Sequence, residues 1–62
     1  MQTYEIRVIR KGEGALIYEC AQVSDFAAIR RARILGEDGD IVEVWRGLKC
    51  VFTDAPAHMR LH

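Results

Sequence analysis

From Thr3 to Arg10, Tyr4, Ile6 and Val8 alternate with Thr3, Glu5 and Arg7. That two-residue period predicts a half-buried strand. Lys11-Gly12-Glu13-Gly14 follows, and its glycines supply the positive φ angles of a short hairpin loop. Ala15 to Gln22 returns as a second strand, with Leu16, Tyr18 and Cys20 on one face and Ile17, Glu19 and Ala21 on the other. It is apolar on both sides near its start, so one side is available to a partner.

At Ser24 the period changes. A serine N-cap with Asp25 in the first turn satisfies free amides and suits the positive end of a helix dipole. Asp25 to Leu35 contains neither glycine nor proline, and Phe26, Ala28, Ile29, Ala32 and Leu35 are expected to form the stripe that faces a sheet. Arg30, Arg31, Ala27 and Ile34 are expected opposite, with Arg33 at the margin. Gly36 is expected to close the helix in a left-handed conformation.

After Glu37-Asp38-Gly39, the β-branched residues Ile41, Val42 and Val44 with Trp45 favour a third strand over Asp40 to Arg46. Gly47 allows reversal into a fourth, Leu48 to Thr53. Regular pairing sets Ile41, Glu43, Trp45, Leu48, Cys50 and Phe52 on one hairpin face, and Val42, Val44, Arg46, Lys49, Val51 and Thr53 on the other. The expected fold is therefore α+β: two β-hairpins flanking one helix (ββαββ), a four-stranded, largely antiparallel sheet and the helix on one face. The order 2-1-3-4, which makes every neighbour antiparallel, is preferred over 1-2-3-4. Residues 1–54 are expected to form a single domain and residues 55–62 a flexible tail.

One helix covers only one face of such a sheet, so a second apolar face is expected to need another cover. Either Ile41, Trp45, Leu48, Cys50 and Phe52 lie beneath the helix or Val42, Val44 and Val51 do; both arrangements leave an apolar set over. The chain has 62 residues, a size that removes only ~60% of the unfolded surface from water, and domains this small often draw stability from a disulfide, a metal or a partner subunit. Cys20 and Cys50 are the only cysteines and sit in apolar segments, so both are read as reduced core residues, with a single bridge as the minor alternative.

Charge narrows the partners: nine basic residues balance nine acidic ones, which gives no general attraction to nucleic acid or an acidic membrane. The first ten residues lack the apolar block of a signal peptide and no stretch approaches the ~20 apolar residues of a membrane span, so a cytoplasmic location and no membrane partner are expected.

Candidate chemistry is sparse. His58 and His62 have the spacing of half a zinc finger, but the two cysteines lie far apart in the chain where a finger needs a close pair, and no metal or cofactor is expected. A thiol in an apolar strand is inert, and the acids Glu5, Glu19 and Glu43 form no recognisable acid/base pair. Glycines leading from strand to strand are not a phosphate loop. No catalytic residue can be named, and the chain is expected not to be an enzyme.

The segment Val42-Glu43-Val44-Trp45-Arg46-Gly47 resembles the terminal hairpin of short uncharacterised bacterial ββαββ proteins. The resemblance implies the same fold and carries no activity or functional residues. The leading expectation is a non-enzymatic interaction module, a homodimer or higher homo-oligomer formed through the sheet face or an edge strand, with Ile41, Trp45, Leu48 and Phe52 as self-association residues and Trp45 as anchor. The alternative is a nucleic-acid-binding accessory protein using Arg30, Arg31 and Arg33. A small-ligand site at an oligomer interface is the third reading.

Overall fold

In the computed structural model, which describes residues 1–55, the first alternating segment becomes β1 (Gln2–Arg10) and pairs on both sides. Its outer neighbour is β2 (Gly14–Gln22); on the other side lie β3 (Ile41–Arg46) and then β4 (Lys49–Asp54). The order is β2-β1-β3-β4 and every neighbouring pair is antiparallel. Helix α1 (Asp25–Leu35) connects the two hairpins, which completes the expected ββαββ, α+β architecture. The tail residues from Pro56 onward, including His58 and His62, lie outside the described residues.

The period of two decides which side chains enter the core. Tyr4, Ile6 and Val8 of β1 and Val42 and Val44 of β3 are buried beneath Ala28 and Ala32 of the helix. Ile6 stands between Tyr18 and Val44, and Val8 between Leu16 and Val42, and the two central strands supply the largest fully buried side chains. A fully buried side chain such as Ile6 contributes roughly 1.5–3 kcal/mol relative to exposure. Two alanines at the helix contact let the helix backbone come close to the sheet. Ile29, Leu35, Cys20, Val51 and Phe52 fill the margins.

Local capping sets the helix limits. Ser24 Oγ accepts a hydrogen bond from the Ala27 amide at 3.1 Å, satisfying one of the free donors of the first turn. At the other end the Gly36 amide donates to Ala32 O at 3.0 Å. Gly36 departs from the left-handed cap expected of it: its φ of −79° and ψ of 146° are extended. Glycine is needed there for space, because a Cβ would stand 2.5 Å from Val42 Cγ2. By contrast, Gly47 has φ +62° at the first position of the two-residue turn Gly47-Leu48 between Arg46 and Lys49, where a primed hairpin turn requires it.

Two further placements correct the sequence reading. Phe26 is exposed and does not face the sheet, because it precedes Ala28 by two residues, about 200° around a helix. The hairpin faces also shift. Trp45 pairs with Cys50 but Val44 pairs with Phe52, so β4 carries one extra residue, a β-bulge, and Phe52 moves to the helix side with Val44.

Both ends of the helix are tied to β1 by polar clasps. At the start, Asp25 accepts from Tyr4 Oη at 2.6 Å and from Arg46 Nη1 at 2.6 and 2.5 Å. At the far end, Asp40, whose side chain is only 5% exposed, accepts from Arg10 Nε at 3.2 Å and Nη2 at 3.1 Å and from the Glu37 amide at 2.9 Å. Glu37 Oε2 lies 2.8 Å from the same Arg10 Nη2. These donors hold both aspartates below the ordinary carboxylate pKa, Asp25 chiefly through Tyr4 and then Arg46, Asp40 chiefly through Arg10 and then the Glu37 amide. Donation to Asp25 raises the Tyr4 phenol above its usual value, since ionisation would place two negative charges together.

Candidate functional site

The longest consecutive run of exposed large apolar side chains lies on the outer strand β2. Leu16, Ile17 and Tyr18 are 43, 60 and 39% exposed, a consecutive run that places large apolar groups on both faces of the sheet. Such a run on a surface is an anomaly unless something covers it. Its backbone has the same property, because among the described residues β2 bonds only to β1, which leaves its other edge unpaired along nine residues. Only Glu19 among those residues is charged.

The open sheet face is less apolar than expected. Arg7, on β1, lies at its centre, paired with Glu5 on one side and 3.9 Å from Glu43 Oε1 on the other. Its guanidinium covers the Trp45 ring at 4.6 Å from the centroid, and Trp45 Nε1 donates to Glu43 Oε1 at 3.0 Å. This charged lattice follows from cross-strand placement: Arg7 opposes Glu43, and Glu5 opposes Trp45. Beyond the lattice, Ile9 pairs with Ile41 and with Ala15 toward one end, and Ile17 lies opposite Arg7.

The four residues expected to mediate self-association are therefore not brought together. Ile41 and Trp45 share the open face, Leu48 is fully exposed at the hairpin tip, and Phe52 lies on the opposite face beside the helix. The bulge is the physical cause for Phe52, and the turn for Leu48. Edge strand β2 carries the larger exposed run. Its two-sided apolarity was visible in the sequence, but only the strand order turns that property into an open edge.

Arg30, Arg31 and Arg33 are exposed on α1 but do not form one cluster: Arg30 shares one hollow with Arg33 and another with Arg31. Arg33 covers the Phe52 ring at 5.3 Å and Arg30 the Phe26 ring at 5.2 Å, while Arg31 borders a shallow depression with Gln22, Ala27, Arg30 and Ile34. The cysteines also part company. Cys20 packs against the core margin, whereas Cys50, expected in the core, is exposed on the open face opposite Trp45, its Sγ donating to Phe52 O at 3.3 Å. They stand on opposite outer strands, three inter-strand spacings of about 4.8 Å apart, too far for a bridge within one chain.

Among the described residues, no group of three or more His, Cys, Asp or Glu side chains is placed to hold a metal ion. No described helix is long and apolar enough to cross a membrane. No protein-family model, no curated protein and no solved structure matches the chain.

Proposed function

We propose that this chain is a non-enzymatic interaction module that forms a homodimer by antiparallel pairing of β2 with β2 of a second copy. The observation that carries the reading is the coincidence, on one nine-residue strand, of a backbone edge unpaired among the described residues and exposed Leu16, Ile17 and Tyr18. An unprotected edge is a template for another strand, and antiparallel self-pairing is a closed two-fold contact that leaves no further edge of the same kind. Four strands from each copy would then form one continuous sheet. Leu16 and Tyr18 would be shielded on the helix side and Ile17 on the open side, so backbone pairing and apolar burial act together.

The charged lattice around Arg7 supports the edge over the face as the place of contact. Burying Glu5, Arg7 and Glu43 against a second copy would remove their charges from water, a cost that pairing offsets only with full hydrogen bonding. Pairing along β2 leaves them solvated.

Light scattering at tens of micromolar protein tests the proposal directly. A dimer for the native chain and a monomer for Ile17→Lys are the expected masses; a strictly monomeric native chain overturns the reading. Ile17 is exposed on the open face, so lysine there leaves the monomer core intact. Backbone amides on the outer side of β2 should also show hydrogen-exchange protection that grows with protein concentration.

A further inference from the structure

The helix does not cover the whole sheet. Its packing is against β1, β2 and β3, and a groove of about 300 Å³ opens between α1 and β4, lined by Phe26, Ile29, Arg30, Arg33 and Phe52. Four of these residues sit at positions i, i+3, i+4 and i+7 of the helix, which places them on one face. The fifth, Phe52, reaches the groove because the β4 bulge turns it to the helix side. The volume is at the small end for ligand sites, which run from ~300 Å³ upward.

The chemistry of the lining is divided. Phe26, Ile29 and Phe52 are apolar, and the only polar side-chain groups are the two guanidinia, each resting over a phenyl ring. Arg7, Arg10 and Arg46 elsewhere in the molecule are each ion-paired with a carboxylate. Among the described residues, neither Arg30 nor Arg33 has an aspartate or glutamate at ion-pair distance. Two cations at the rim of an apolar slot are thus left without a counter-charge.

We infer that the groove between α1 and β4 binds a small amphipathic carboxylate, with its hydrocarbon body between Phe26, Ile29 and Phe52 and its head on Arg30 and Arg33. A planar carboxylate matches the fork of guanidinium donors. The body must carry no hydrogen-bonding groups, because the side chains on the walls offer none in return and a buried unpaired polar atom is costly. A nucleobase, with donors and acceptors along its edge, is disfavoured on that ground. The occupant is a free solute: a slot of this size takes one short chain.

The groove adjoins β4, at the opposite side of the sheet from β2, so its occupation is independent of dimer formation. The test is an NMR titration of the full chain with octanoate, repeated with octan-1-ol and octyltrimethylammonium and repeated on Ile17→Lys. Octanoate is expected to shift the signals of Phe26, Ile29, Arg30, Arg33 and Phe52 in both proteins, with the alcohol weaker and the cation inert. The double variant Arg30→Gln/Arg33→Gln should bind octanoate about tenfold more weakly or worse, through loss of its charge-assisted contacts. Equal responses to the three probes, or octanoate shifts centred on Leu16 to Tyr18, would overturn the assignment. So would binding to phosphatidylglycerol vesicles without any response to octanoate, which would make the arginines a lipid-surface contact.

Discussion

The two outer strands of this sheet meet the same solvent with opposite constructions. β4 is six residues long, carries Lys49 and Asp54 at its ends, and is broken by a bulge opposite Val44 and Trp45. These are the devices by which natural sheets blunt an edge. β2 is nine residues long, keeps an unbroken register with β1 from Gln2↔Gln22 to Arg10↔Gly14, and has one charged residue. The difference shows that exposed apolar surface in this small chain is not spread over the uncovered face. Its longest consecutive run, Leu16 to Tyr18, lies on the border that lacks both a bulge and end charges.

Perturbations should separate the two borders in order of size. Ile6→Ala should have the largest effect, since Ile6 touches the pairs that hold both halves together, Tyr18 on β2 and Val44 on β3; a loss of about 2–5 kcal/mol is expected, and in urea titration both borders should unfold together. Gly36→Ala comes next. Its methyl group would collide with Val42, an overpacking cost of about 1–3 kcal/mol, and hydrogen exchange should accelerate in β3 and β4 more than in β2.

Ile17→Lys should weaken dimerisation about tenfold or more, corresponding to ~1.4 kcal/mol per factor of ten, while Thr53→Lys on β4 leaves the dimer unchanged. Equal loss in the two variants, measured by sedimentation equilibrium, would erase the contrast between the borders.

Acid should produce the smallest change, acting on the clasps and not on the borders. Asp25 and Asp40 have folded-state pKa values below the ordinary 3.8, so their stabilisation is complete above that value and is lost as the pH falls through the folded values. The urea midpoint should therefore decline below about pH 4, and less steeply in Asp25→Asn. Tyr4 has the opposite sense: its raised pKa means that its contribution disappears only as alkali passes the folded value.

Much of the fold was legible because its signals are local. Alternation in Tyr4, Ile6 and Val8, the Ser24 cap and the glycines of the hairpin loops each depend on neighbours in sequence. The errors came from effects that cross the chain. The bulge that turns Phe52 arises from pairing between strands, and the crowding at Gly36 comes from Val42, six residues away and across a loop. Phe26 leaves the expected stripe because it stands about 200° from Ala28; its neighbours at 100° per residue are Ile29, Arg30 and Arg33. The charged lattice on the open face required the β1–β3 register, which no local pattern supplies. Apolarity on both sides of β2 was plain, yet it acquired meaning only when the strand was placed outermost.

Trp45 is the chain's single tryptophan, and it lies under a guanidinium with its indole nitrogen bonded to Glu43. Its emission therefore samples the open face, two strands in from the outer edge of β2 and on the opposite side of the sheet from Phe52. Intrinsic fluorescence should stay constant through dilution and through octanoate addition, then change when the sheet itself melts, which gives an internal gauge of unfolding insensitive to either contact.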